Sequence, residues 1–241
     1  MHASLLANNL DRVRARVAAA AERSGRPPAD VTLVAVTKYV EPAVARELAD
    51  LGQLDLGENR VQELHRKAVS LPPAIRWHLI GPLQANKARK AVTHAPILHA
   101  VEDLDLLARL DRIALELSKP VRALLEINIS GEGTKHGLSP DTALAFLRDA
   151  KRFSQIEMIG LMTMARAEAA EPELRSHFRA LRLLRDRARV EGLFAASARQ
   201  GGELSMGMSS DFEIAIEEGA TLVRVGSALF EGLPLREEPR A

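Results

Sequence analysis

No cysteine occurs in the 241 residues. That excludes disulfides, thiolate nucleophiles and cysteine metal sites, and leaves the compartment open. Aromatic residues make up only 3%, with one Trp, one Tyr and six Phe. The core must therefore be built from Leu, Val, Ile and Ala, and the stacking platforms of a single-strand nucleic-acid binder are missing. Net charge is nearly absent as well, 33 basic and 32 acidic residues leaving +1. Without a basic tail or stripe, the electrostatic footprint of a DNA binder is lacking. No apolar run approaches the ~20 residues of a membrane-spanning helix. Asp11, Arg12, Arg14, Arg16 and Glu22 interrupt the N-terminal stretch, against a signal-peptide pattern. The expectation is a soluble, cytoplasmic chain with no nucleic-acid and no membrane partner.

What the sequence does have is 46% hydrophobic and 27% charged residues, enough to bury a large core and remain in solution. The length suits one α/β barrel, typically ~250 residues. Leu6, Leu10, Val13, Val17 and Ala20 fall on one face of a helix over residues 1–24. Beyond Gly25–Pro28 the chain alternates. Short, near-continuous apolar runs read as strands covered on both faces: Val31–Val36, Leu54–Leu56, Ile75–Ile80, Ile97–Val101, Val121–Ile129, Ile156–Met162, Glu203–Met206 and Thr221–Val225. Helical segments separate them, punctuated by Glu41-Pro42, by Ser139-Pro140-Asp141 as an N-cap with proline behind it, and by Gly52 and Gly219 at ends. The pattern predicts an α/β fold, a single (β/α)8 TIM-type barrel over 1–241 with an extra N-terminal helix. A doubly wound open sheet shares the same alternation. The seventh strand is the hardest to place, since Gly192–Gly202 is irregular, and the tail over 234–241 reads as frayed.

Barrel sites lie at the C-terminal ends of the strands, so the residues closing each run carry the chemistry. The first run ends in Thr37-Lys38, where a lysine beside apolar chain can be desolvated into a nucleophile toward carbonyls; a lysine snorkelling past the rim is the bland alternative. Ser205–Ser210 is rich in serine and glycine and opens into a helix, and Gly226-Ser227 follows the eighth run at once. Barrels often bind phosphate with the loops after strands seven and eight, although Ser and Gly are also common in turns. Arg224 lies between Val223 and Val225 and must find an acceptor, either at the barrel mouth or on a structural carboxylate. His78, His94, His99 and His136 lack metal-ligand spacing, so no metal is expected. Lys87, Arg89 and Lys90 read as a solvated helix face, and Glu217-Glu218 as helix surface.

Several blocks resemble the YggS/PROSC-type pyridoxal phosphate homeostasis proteins. They are Thr37-Lys38, Gly57-Glu58-Asn59-Arg60-Val61-Gln62-Glu63, the stretch from Trp77 to Lys87, Asn128-Ile129-Ser130, Lys135-His136-Gly137, Gly160-Leu161-Met162, Leu204 to Ser209 and Val223-Arg224-Val225-Gly226. They run in order from about Leu5 to Gly232; only Leu193–Gly202 matches poorly, and Tyr39 stands at a variable position. The resemblance implies a fold like the N-terminal barrel of alanine racemase and pyridoxal 5′-phosphate (PLP) as cofactor. It implies that Lys38 forms the Schiff base, that Asn59 lies near the ring, and that Arg224 faces the pyridine nitrogen. Ser205, Gly226 and Ser227 would help hold the phosphate, with backbone donors from Met206, Gly207, Met208 and Ser209. A permanently charged arginine leaves the pyridine nitrogen unprotonated, a poorer electron sink.

The function so implied is non-catalytic: a monomeric carrier in intracellular vitamin B6 homeostasis that delivers PLP to apo-enzymes. The alternative is a PLP-dependent amino-acid racemase or a related PLP enzyme. Racemization needs acid–base groups on both faces of the substrate carbon. The sole tyrosine, Tyr39, neighbours Lys38 on the strand and is expected to point the other way. A cofactor-free Schiff-base aldolase is a third reading, which a colourless protein would favour.

Overall fold

Strands and helices alternate through the computed structural model, which describes residues 2–95, 97–131, 136–166 and 169–236. The strands are β1 (Thr32–Val36), β2 (Asp55–Glu58), β3 (Arg76–Leu79), β4 (Ile97–Val101), β5 (Val121–Glu126), β6 (Ile156–Met162), β7 (Glu203–Ser205) and β8 (Leu222–Val225). The helices are α1 (His2–Arg23), α2 (Pro42–Asp50), α3 (Val61–Ala68), α4 (Ala88–His94), α5 (Leu104–Leu117), α6 (Pro140–Ala150), α7 (Glu171–Val190) and α8 (Phe212–Glu217). The strands pair in sequence order, all parallel, and β8 returns to β1 to close the barrel. Each apolar run of the sequence thus overlaps a strand, because parallel strands under a ring of helices are buried on both faces, although β2 runs two residues past its run to Glu58.

Two apolar layers result. The larger lies between strands and helices and includes Leu10, Leu48, Leu56, Leu107, Leu125, Phe178 and Val223. The smaller fills the barrel interior with Val34, Ile97, Leu124, Ile159, Met162 and Leu222. The second layer is too small to fill the interior alone, and buried polar side chains share it: His78, His99, Ser205 and Arg224. A register shift in β4 against β5 between Leu98 and Val101 marks a bulge, which bends a strand and re-aims its side chains.

One expectation is corrected and three are refined. Helix α1 is the extra N-terminal helix read from the sequence; it packs against α8 and α2, and no helix follows β8 among the described residues. Arg16 fixes this packing by pairing with Glu213 at 2.8 Å and lying over the Phe212 ring. Ser139 occupies the N-cap position of α6, but its side chain makes no capping bond. Glu218 is buried rather than surface, facing Arg175, Arg179 and Arg182 at 3.5, 3.1 and 3.9 Å. The seventh strand is only three residues long, entered from a tight turn over Arg199–Gly201, which is why no strand pattern precedes it. Of the expected frayed tail, residues 237–241 lie outside the described residues.

The β6–β7 pairing depends on Gly160, where a Cβ would stand 2.0 Å from the Glu203 carbonyl oxygen. Gly160→Ala is expected to push β7 off its neighbour, at a cost of about 1–3 kcal/mol typical of overpacking. Denaturant unfolding checks this, and an unchanged midpoint refutes it.

Candidate functional site

A cavity of about 460 Å³ opens at the C-terminal ends of the strands. Lys38 and Tyr39 line it from the turn after β1, Asn59 from the end of β2, and Arg224, Gly226 and Ser227 from β8 and just beyond. Met208 and Ser209 line it from the loop after β7. The sequence-predicted residues Lys38, Asn59, Met208, Ser209, Arg224, Gly226 and Ser227 are thus brought together.

Lys38 is placed by the buried backbone before it. Thr37 donates its amide to Gly57 O at 2.9 Å and its hydroxyl to Glu58 Oε1 at 2.6 Å. The Thr37 carbonyl accepts from Lys67 Nζ at 2.6 Å, and the same ammonium pairs with Glu58 Oε1 at 2.6 Å. Both charged side chains are wholly buried, and burial pushes the Glu58 carboxyl up against the pull of Lys67. The ion pair therefore clamps the peptide that carries Lys38, whose amine rests 4.4 Å from the centre of the Tyr39 ring.

Ser205, Met206 and Gly207 do not reach the cavity. Ser205 ends β7 pointing into the barrel interior, where its Oγ meets Arg224 Nη1 at 2.6 Å and His99 Nδ1 at 2.8 Å. Met206 is buried and donates its amide to Leu222 O. Gly207, at φ +93°, turns the loop so tightly that a Cβ would lie 2.6 Å from the Ala215 side chain. Their work is to carry the loop back across the barrel. The amide of Met208 is also engaged, by Asp211 Oδ1 at 2.6 Å. Ser209 Oγ accepts from the amides of Gly226 at 3.1 Å and Ala228 at 3.5 Å, so one oxygen already bridges the two loops. At Gly226 a Cβ would meet Val36 O at 3.4 Å, a tight approach that a small shift could relieve.

Arg224 is 4% exposed and finds its acceptors inside the barrel, beneath the cavity, as Ser205 Oγ and as Thr163 O at 3.1 Å, rather than on a carboxylate. Burial lowers its pKa to about 10, while the charges of Glu126 and Asp211 act to raise it. The guanidinium therefore stays charged at neutral pH.

Sequence reasoning missed three titratable lining residues. Tyr39 lines the same cavity as Lys38 instead of pointing away, because the strand ends at Val36 and side-chain alternation stops with it. His136 enters from the loop after β5, its Nδ1 3.1 Å from Glu102 Oε1. Glu126 closes β5, 4% exposed, and its carboxyl faces the cavity. The clue to Glu126 was the one applied to Arg224, a charge inside an apolar run.

Burial, and then the nearby charge of Glu102, push the Glu126 carboxyl up from 4.5 to about 7. The folded protein thus binds this proton more tightly than the unfolded chain does. The contribution to stability is full below pH 4.5 and is lost as pH rises toward 7. Glu126→Gln is expected to gain stability relative to the unaltered protein across that window. Urea midpoints of both at pH 5 and pH 8 check this, and parallel pH profiles refute it.

Residues 8–234 match the family model described as alanine racemase, N-terminal domain. The pyridoxal phosphate homeostasis protein of Aquifex aeolicus is 36% identical over 222 residues, covering 92% of this chain and 95% of that one. The chain belongs to this family. The homeostasis protein of Pseudomonas aeruginosa is 37% identical over 228 residues, with 94% and 95% covered. Among solved structures, PipY of Synechococcus elongatus with PLP bound superposes with a TM-score of 0.79 at 37% identity, covering 93% of this chain and 99% of that one. The family block Lys135-His136-Gly137 is seen here only in its last two residues; Lys135 lies outside the described residues. No helix among the described residues is long and apolar enough to cross a membrane, and no cluster of His, Asp and Glu among them could hold a metal.

Proposed function

We propose that this protein holds pyridoxal 5′-phosphate as a Schiff base on Lys38 and acts as a non-catalytic, monomeric carrier in cytoplasmic vitamin B6 homeostasis, delivering the cofactor to PLP-dependent apo-enzymes. The observation that carries the reading is the convergence on one cavity of Lys38, the buried Arg224, and an oxygen bridging the amides of Gly226 and Ala228. The residues fit the group. Amides that donate to one hydroxyl oxygen suit a phosphate oxygen equally, with Ser209 and Ser227 beside them. When bound, PLP supplies an aldehyde and an electron-withdrawing ring. Lys38 would add its amine to that aldehyde with loss of water, Arg224 would face the pyridine nitrogen, and Asn59 would border the ring. A charged arginine there keeps that nitrogen unprotonated and limits carbanion chemistry, in keeping with a carrier.

The test is the visible spectrum of the purified protein with added PLP, before and after borohydride reduction, followed by mixing with a PLP-dependent apo-enzyme. A reducible yellow band and recovery of apo-enzyme activity support the proposal. A protein that stays colourless refutes PLP binding and favours the aldolase reading, whereas binding without recovery removes the carrier role.

One observation favours racemase-like side chemistry. Strand β5 lies opposite β1 in the barrel order, so Glu126 and Lys38 stand on facing walls. A carboxyl near pH 7 can exchange a proton at working pH. Exchange of an amino-acid α-proton with solvent deuterium, lost in Glu126→Gln, would establish this activity, and no exchange in the PLP-loaded protein would dismiss it.

A further inference from the structure

A line of hydrogen bonds crosses the barrel from its N-terminal end to the cavity. Asp55, the first residue of β2, accepts on one oxygen from Arg76 Nε at 2.8 Å and from His78 Nε2 at 3.1 Å. His78 Nδ1 lies 2.8 Å from His99 Nε2, and His99 Nδ1 lies 2.8 Å from Ser205 Oγ. Arg224 Nη1 meets the same hydroxyl at 2.6 Å. His78, His99, Ser205 and Arg224 are all buried, so bulk water does not reach them.

Only one placement of protons satisfies every group. Burial acts to raise the Asp55 carboxyl, but hydrogen bonds from His78 and Arg76 hold it down to about 2, so it only accepts. His78 Nε2 must then carry a proton, and the Nδ1 of a neutral ring accepts from His99 Nε2–H. His99 Nδ1 in turn accepts the Ser205 proton, and Ser205 accepts from Arg224, which can only donate. Every donor points from the guanidinium toward the carboxylate. If His78 instead donated from both nitrogens, His99 would turn its proton toward Ser205. That hydroxyl would receive two donors while its own proton lacked an acceptor, a buried orphan costing about 1–3 kcal/mol.

We propose that Arg224 is positioned from the opposite end of the barrel: Asp55 fixes the tautomers of His78 and His99, and these make Ser205 the acceptor that anchors the guanidinium. Ser205 and both histidines are positioning residues. With Nη1 held by Ser205 and Nη2 by Thr163 O, the remaining N–H groups of Arg224 are left for the cavity. The proposal rests on the reading above only in taking Arg224 as a contact to bound PLP.

The experiment is long-range proton–nitrogen spectroscopy of the histidine rings in the 15N-labelled full chain without ligand, with signals assigned through His78→Gln and His99→Gln. Both rings are expected to be neutral with the proton on Nε2 at pH 7. In Asp55→Asn, whose amide can donate as well as accept, the reversed order is opposed only at Ser205, and both rings are expected to gain a measurable share of the Nδ1–H form together. PLP should then bind about tenfold more weakly, the scale of one supporting hydrogen bond. A cationic or Nδ1–H ring in the unaltered protein overturns the proposal, and this result requires no variant to fold. A change at His78 that His99 does not follow also overturns it. Failure of the unaltered protein to bind PLP overturns the functional reading instead, and the ring signals still decide whether the chain of tautomers exists.

Discussion

Lys38→Ala is expected to lose all covalent capture of PLP and to retain weak, reversible binding. Lys38 lines the cavity, and no other lysine among the described residues does, so the change removes the proposed bond-forming partner there. The rest of the site survives. The Lys67 clamp grips the carbonyl of Thr37 and not the Lys38 side chain, and the Ser209 bridge and Arg224 belong to the β7 loop and β8. Affinity should fall about 100-fold or more, near 3 kcal/mol on the binding scale. Lys38→Arg should behave alike, since a guanidinium keeps its proton and cannot act as the nucleophile. The measurement is mass spectrometry after borohydride reduction, with equilibrium titration by absorbance. A reduced adduct that persists in Lys38→Ala would place the Schiff base on another lysine and end the assignment.

The barrel was legible because its strands are covered on both faces, and burial wrote them as continuous apolar runs. Strands β4 and β6 agree with the runs at both ends. Strand β7 was harder, since three residues squeezed between an irregular turn and the cavity loop carry almost no periodicity. The site was legible at the ends of β1, β2 and β8, where a charged or glycine residue abruptly closes an apolar run. Beyond the strand ends, alternation no longer governs direction, and this is where Tyr39 was misjudged. Ser205 shows the opposite difficulty. Still within the strand, it points into the barrel interior, and a serine next to a glycine-rich loop looks the same in sequence whether it meets a ligand or an arginine. The chain from Asp55 to Arg224 joins residues from β2, β3, β4, β7 and β8, a proximity that only closure of the barrel creates.

Lys67→Met is expected to destabilise the fold severely, whereas the double variant Glu58→Gln, Lys67→Met should recover much of the loss. Neither charged side chain has any exposure, and Glu58 Oε2 has no hydrogen-bond partner among the described residues. Removing the ammonium alone strands a carboxylate already strained by burial, at about 3–5 kcal/mol. For a chain of this size the melting temperature should drop by about 6–20 °C, at ~2–4 °C per kcal/mol. Neutralising both partners removes the stranded charge, and the side-chain amide introduced by Glu58→Gln can still accept from the Thr37 hydroxyl. The Thr37 carbonyl nonetheless loses its buried donor, so the peptide before Lys38 is freed. The double variant should therefore melt close to the unaltered protein yet capture PLP more weakly or more slowly. That split separates two roles of the ion pair. If stability and capture recover together, the pair serves the core alone. If stability recovers while capture does not, the fully buried Lys67 holds Lys38 in place through the Thr37 carbonyl.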